Sequence, residues 1–169
     1  MAKSKLRKDV KYNLSIIIIN YNTEKITREC IESIINNTSG ITYEIIVVDN
    51  ASSDGSVKML TNLKSKISNL RLILNNKNLG FGEGNNQGFK IAKGEFFLLL
   101  NTDTKLLDNV LAQMVSWMKK HPDIGISSCA LRFKDGSVQG TGGYFPHLSK
   151  IFAWMIIFGR INLIMIGYQ

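Results

Sequence analysis

The chain has 169 residues, enough for one domain with a sizeable core, and its 44% hydrophobic and 20% charged content excludes an intrinsically disordered polymer. The formal net charge of +8 owes part of its excess to Lys3, Lys5, Arg7, Lys8 and Lys11, set against Asp9. We read residues 1–12 as a solvated basic tail and expect no nucleic-acid partner, because charge alone would argue for one.

Leu14 to Ile19 is a continuous, Ile-rich apolar run followed by Asn20-Tyr21-Asn22, the pattern of a strand buried on both faces. Ile26, Cys30, Ile31, Ile34 and Ile35 then fall on one helical face behind Thr23, a candidate cap. Glu44 to Val48 reads as a second buried strand, ending in Asp49. Ser52 or Ser53 is placed to cap a helix carrying Val57, Leu60, Leu63, Lys64 and Ile67. Leu70 to Leu74 gives a third strand, followed by a Gly/Asn-rich loop and a short helix to about Ala92. Phe96 to Leu100 is the fourth strand. Leu107, Val110, Leu111, Met114, Val115 and Met118 recur at helical spacing, and that helix should stop near His121-Pro122. Ile124 to Leu131 suggests a fifth strand, and Lys134-Asp135-Gly136 a hairpin turn.

Strands alternating with helices imply an α/β, doubly wound, mostly parallel sheet, Rossmann-like in plan. Such sheets bind ligands outside the carboxyl ends of their strands. The residues just past the four strands fit that rule: Asn20-Tyr21-Asn22, Asp49-Asn50, Asn75 to Asn78, and Asn101-Thr102-Asp103. They would bring amides, an aromatic ring and two carboxylates to one edge.

Each element has two readings. Asp103 could hold a divalent cation against a diphosphate, since Mg²⁺ is typically bound by one or two carboxylates plus substrate phosphates and water. It could equally cap a helix starting near Leu106. Asp49 could accept a hydrogen bond from a ring N–H or a hydroxyl, or simply shape the turn and helix start in VVDNASSDGS. Tyr21 offers a face for stacking a base. The glycines of NKNLGFGEGNNQG permit close approach of a ligand or form a plain flexible loop. The dinucleotide fingerprint fails there, because Asn85 and Gln87 stand where its last glycine is required, and no phosphate-loop pattern is present. His121 and His147 are the only histidines and belong to no hydrolase or zinc motif. Cys30 and Cys129 lack metal or redox spacing, and the opening residues lack an apolar signal core. Both observations fit reduced thiols and a cytoplasmic setting.

Taken in order, LSIIIINYN, EIIVVDNASSDGS, NKNLGFGEGNNQG and GEFFLLLNTDT resemble the nucleotide-binding half of a family 2 glycosyltransferase with the GT-A fold. HPDIGISSCALRFKDGSVQGTGGYFP resembles the stretch that follows in its rhamnosyltransferase-like branch. The resemblance implies an inverting, Mg²⁺- or Mn²⁺-dependent transfer of sugar from a nucleotide diphosphate donor, dTDP- or UDP-linked, to a hydroxyl of a glycan or lipid-linked acceptor. It places Asn20, Tyr21, Asn22 and Asp49 around base and ribose. Asn78, Gly80, Phe81 and Asn85 would line the donor pocket. Asn101-Thr102-Asp103 matches the family's DxD motif, with Asp103 at the metal and Asn101 replacing the usual first Asp.

Inverting transfer needs a general base, which the family takes from a later acidic motif. No Asp or Glu follows Asp135, and His147 matches no family motif. The expectation is therefore a donor-binding domain over residues 13–145, truncated before its base. The alternative is a catalytically incomplete nucleotide-sugar-binding or interaction module. The apolar segment 146–169 holds only Ile151 to Phe158 before Gly159-Arg160, too short for a membrane span of roughly twenty residues. It reads as part of an incomplete acceptor side, with peripheral association to the membrane's inner face as the other expectation. The sequence leaves the oligomeric state open.

Overall fold

The computed structural model describes residues 10–140. The basic residues 1–9 and the closing apolar segment, with His147, lie outside the described residues. The chain divides into a first unit, Met1–Lys120, and a second, His121–Gln169.

The first unit runs β1 (Tyr12–Asn20), α1 (Glu24–Asn37), β2 (Tyr43–Asp49), α2 (Ser56–Lys66), β3 (Leu70–Leu74), α3 (Gly80–Ile91), β4 (Gly94–Leu100) and α4 (Val110–Lys120). Its four strands form one parallel sheet in the order β3-β2-β1-β4. Parallel neighbours require crossovers, and helices supply them. The apolar runs of β1 and β2 are buried on both faces, with Ile16, Ile17, Ile18, Ile45, Ile46, Val47 and Val48 at 0–1% exposure. One face packs Leu14, Ile16, Ile18, Ile45 and Val47 against Cys30, Ile31 and Ile34 of α1, Met59 and Leu60 of α2, and Leu111 and Val115 of α4. The other packs Ile17, Ile19 and Ile46 against Phe89, Ile91 and Ala92 at the α3 end. This is the doubly wound sheet that the sequence pattern predicts.

Several expectations need correction. The buried stripe of α1 is Thr27, Cys30, Ile31, Ser33 and Ile34, whereas Ile26 and Ile35 are exposed. Thr27 and Ser33 are tolerated inside because their hydroxyls donate to Asn20 Oδ1 and to the Cys30 carbonyl. Thr23 makes no side-chain cap bond, and its hydroxyl donates to Asn20 Oδ1 instead. Neither Ser52 nor Ser53 caps α2, which starts later, with Asp54 Oδ1 accepting the Ser56 amide. The Gly/Asn-rich segment is helix from Gly80 onward. At Gly84 and Gly88 an added Cβ would stand 3.0 Å and 2.5 Å from side-chain carbons of Ile19 and Ile17. These glycines let α3 lie close on β1, and the apparent loop composition is a packing requirement.

β4 alternates, burying Gly94 and turning Phe96, Leu98 and Leu100 inward while Phe97 and Leu99 stay 38% and 47% exposed. It is an edge strand, and α3 covers that face over β1 and β2; Phe97 packs edge-on against Phe89 at the margin of that cover. Leu107 precedes α4 and is exposed, while α4 ends just before His121-Pro122 as expected.

In the second unit, Ile124 to Leu131 forms no continuous strand. A hairpin joins β5 (Leu131–Arg132) to β6 (Val138–Gln139) around Lys134-Asp135-Gly136. Gly136 takes φ +85, and the Ser137 hydroxyl and amide hold the Asp135 carboxyl below the usual carboxylate range. The expected turn is present, and its strands are short.

Candidate functional site

The parallel register brings the strand ends to one level: Asn20 pairs with Asp49, Asp49 with Leu74, and Ile18 with Leu100. At the centre Asp49 is 1% exposed. Its Oδ2 accepts Asn20 Nδ2 at 2.6 Å and the Ser52 hydroxyl at 2.7 Å, and its Oδ1 accepts the Ser52 amide at 2.9 Å. A buried carboxylate must be satisfied, and this one is met from inside the protein. Ser52 Oγ also accepts Asn20 Nδ2 and the Asn22 amide. Asn22 Oδ1 accepts the Ser53 amide, and the Asn50 amide donates to the Asn20 carbonyl.

The turns after β1 and β2 are thus fastened to each other. Two non-glycine residues there adopt left-handed backbone, Asn22 at φ 53 and Ala51 at φ 62. Such angles cost energy and persist where surrounding bonds impose them. Glu24 and Ser56 amides converge on Asp54, whose carboxyl sits below its usual range, chiefly through the Ser56 hydrogen bond. On this platform the Tyr21 ring is 49% exposed.

Beside it, α3 presents its first turn. Asn78 Oδ1 accepts the Gly80 amide at 2.8 Å, and Gly80 has φ +80. Phe81 is 57% exposed, a second aromatic face at the same edge. Asn85 is buried; its Nδ2 donates to the Phe81 carbonyl, and its Oδ1 has no partner among the described residues. The first amides of a helix have no intrahelical acceptor, so this turn offers donors outward.

At the end of β4, Asn101 and Asp103 are both exposed. The Asn101 carbonyl accepts the Thr104 amide at 3.2 Å and lies 3.7 Å from the Cys30 thiol. Burial first, and the Asp103 charge second, push the Cys30 thiol up from 9.0 to about 12. Asp103 stands well before Val110, where α4 begins, so it does not cap that helix. Among the described residues no three His, Cys, Asp or Glu side chains cluster as a ready-made cage. A cation at Asp103 would therefore complete its shell from phosphate oxygens and water, which suits Mg²⁺ or Mn²⁺ chemistry.

The structure brings together Asn20, Tyr21, Asn22 and Asp49 as one group and Asn78, Gly80, Phe81 and Asn85 as another, with Asn101 and Asp103 at the end of β4. Sequence reasoning missed Ser52 as a joint between strands, took Thr23 for a cap, and overlooked Thr27; both threonines hold Asn20 Oδ1. It placed Asn50 and Asn75 at the strand ends but did not foresee that they join Gln87 in a side-chain amide chain. Their signal was present in part, as polar residues directly after β2 and β3.

Residues 15–166 match the family model described as Glycosyl transferase family 2, and the chain belongs to that family. It is 31% identical over 150 residues to the dolichol-phosphate mannosyltransferase of Pyrococcus furiosus, covering 89% of this chain and 41% of that protein. It is 36% identical over 110 residues to the poly(ribitol-phosphate) beta-glucosyltransferase of Bacillus spizizenii, covering 64% and 17%. The solved structure of S. aureus TarS 1–349 in complex with UDP superposes with a TM-score of 0.58 at 26% identity, covering 65% of this chain and 33% of that one. The chain thus spans less than half the length of each of these relatives. The sheet and its helices are the N-terminal part of a GT-A fold.

Proposed function

We propose that this chain is the donor-binding part of a glycosyltransferase that moves a sugar from a nucleotide diphosphate to a hydroxyl acceptor. The observation that carries the reading is the shared strand-end edge, where Tyr21 and Phe81 expose aromatic faces and Asp103 stands exposed at the end of β4. Tyr21 stacks the base. Asn22 holds the base-and-ribose side, while the buried Asn20 and Asp49, whose side chains are bonded within the protein, act through the turns they fix. Asn78, Gly80, Phe81 and Asn85 line the donor pocket. Asn101 bonds a ribose hydroxyl, and Asp103 holds Mg²⁺ or Mn²⁺. Bound there, the metal supplies charge neutralisation for the departing diphosphate.

A UDP-sugar is the first donor to test, ahead of a dTDP-sugar, because the TarS relative was solved with UDP and with UDP-GlcNAc. The acceptor belongs to the glycan or lipid-linked class, as the names of the two curated relatives suggest. Transfer is expected to invert the anomeric centre, in a cytoplasmic setting. Among the described residues no helix is long and apolar enough to cross a membrane.

Proton accounting supports a second reading for residues 1–169. Asp49 is engaged by Asn20 and Ser52 and Asp54 by the Glu24 and Ser56 amides, and the cation proposed above would occupy Asp103. No carboxylate follows Asp135 to take the acceptor's proton, and positioned general bases contribute about 10² to 10⁴ in rate. On that reading residues 1–169 bind donor without efficient transfer.

A thermal-shift panel of UDP, dTDP and GDP, each with and without Mn²⁺, tests the proposal. A ligand at about 100 times its dissociation constant adds about 2.7 kcal/mol of stability. Asp103→Asn should abolish the Mn²⁺-dependent part of the shift and leave the unliganded Tm unchanged. No shift with any nucleotide would overturn the donor-site reading.

A further inference from the structure

Asn75 sits just past β3, and Gln87 lies on α3. Their side-chain amides exchange two hydrogen bonds. Asn75 Nδ2 donates to Gln87 Oε1 at 2.8 Å, and Gln87 Nε2 donates to Asn75 Oδ1 at 3.1 Å. Asn75 Nδ2 also donates to Asn50 Oδ1 at 2.9 Å, and Asn50 Nδ2 donates to the Gly80 carbonyl at 3.2 Å. A backbone carbonyl can only accept, so Gly80 fixes the direction of every amide along the chain. The other polar group of Gly80, its N–H, donates to Asn78 Oδ1. Side chains rooted at the ends of β2 and β3 therefore hold the first residue of α3 from both sides, without a charge among them.

These amides are turned inward: Asn50 is 2% exposed, and Asn75 and Gln87 are half-buried. What faces outward is the turn they hold, with Phe81 exposed and open space beside Gly82. Gly80 needs the brace. Its φ of +80 is a conformation that glycine alone adopts freely, and glycine loses more backbone freedom on ordering than any other residue. A glycine-rich turn left to itself would sample many positions. A ligand contacting that turn would then bind only the fraction of molecules in which it is correctly placed.

Resting on the donor-site reading above, we infer that Asn75 and Gln87 are positioning residues. Their reciprocal amide pair sets the first turn of α3 against the strand ends and so governs affinity for a nucleoside diphosphate. The pair depends on reach, because one short and one long side chain together span the gap between β3 and α3. Exchanging them preserves the combined length that the reciprocal pair needs. Truncating either one removes both.

The test uses the full chain, with UDP as the probe in calorimetry and amide hydrogen exchange followed over residues 80–91 without nucleotide. Asn75→Ala, Gln87→Ala and the length-conserving Gln87→Met should each weaken UDP binding about tenfold and speed exchange in α3. Asn75→Gln combined with Gln87→Asn should restore both readouts. Lys58→Ala, at an exposed position on α2, should alter neither. Single variants that lower Tm but bind UDP within twofold of wild type would reduce the pair to a structural brace and overturn the inference. An exchanged pair that recovers Tm but not affinity would overturn it too. Wild-type protein that binds none of UDP, dTDP and GDP would overturn the donor-site reading, and this inference with it.

Discussion

Replacing Asp49 by Asn changes one atom and keeps the shape, yet it should be among the more damaging substitutions at the site. The carboxylate takes donors on both oxygens: Asn20 Nδ2 and the Ser52 hydroxyl on Oδ2, and the Ser52 amide on Oδ1. A carboxamide can present an oxygen to only one of these sides. On the other side its N–H₂ group faces a donor, and that charge-assisted bond is lost. The loss costs about 1.5–3 kcal/mol, and a buried donor left without an acceptor costs a further 1–3 kcal/mol or so. A total of about 4 kcal/mol corresponds to a fall of roughly 8–16 °C in Tm for a chain of this size. Asp103→Asn, at an exposed carboxylate, provides the contrast and should stay within about 0.5 kcal/mol of wild type. Thermal unfolding followed by circular dichroism checks both. An Asp49→Asn protein that melts within 2 °C or so of wild type would refute the claim that this carboxylate joins the two turns.

Cys30 gives a pH signature. Its thiol pKa rises from 9.0 to about 12 on folding, so the associated stability, about 4 kcal/mol, is fully present below pH 9 and lost as pH rises toward 12. Cys30→Ala should flatten that alkaline limb in urea titrations run from pH 8 to 11. Gly88→Ala would press a Cβ to within 2.5 Å of Ile17 Cγ2, and should cost about 1–3 kcal/mol in chemical denaturation. Ala51→Gly should raise stability by up to about 1 kcal/mol. It relieves φ 62, a strain worth about 1–2 kcal/mol, against a smaller gain in unfolded-state entropy.

The first two strands could be read from sequence because Ile16 to Ile18 and Ile45 to Val48 are apolar without interruption, and only a sheet covered on both faces accommodates that. β4 carries the same kind of run, yet half of it is exposed. Strand composition does not report whether a neighbouring helix reaches the edge. The glycines of α3 misled for a related reason: Gly84 and Gly88 are selected by the distance between helix and sheet, and local propensity cannot express that. At the candidate site, the strand-end rule pointed to Asn20, Asp49 and Asp103. It could not tell that Asp49 faces inward while Asp103 faces out, because that depends on Ser52 and Asn20 arriving from different segments. Ser52 was invisible as a joint, since a serine before a helix reads first as a cap.

The strand order has a consequence during synthesis. β1 is made first but lies inside the sheet, and the partner on its far side is β4, with Tyr12 opposite Gly94 and Ile18 opposite Leu100. At about 5–20 residues per second, the ribosome needs roughly 4–16 seconds to pass from one to the other. Throughout that interval a β-branched, uncharged stretch, Ile16 to Ile19, has one backbone edge with no native partner, and such segments pair readily with strands of other chains. Slow, non-local strand pairing prolongs the exposure. The nascent chain should therefore be a holdase client until β4 has emerged, and its yield of folded protein should respond to translation speed more than to the stability of the finished sheet.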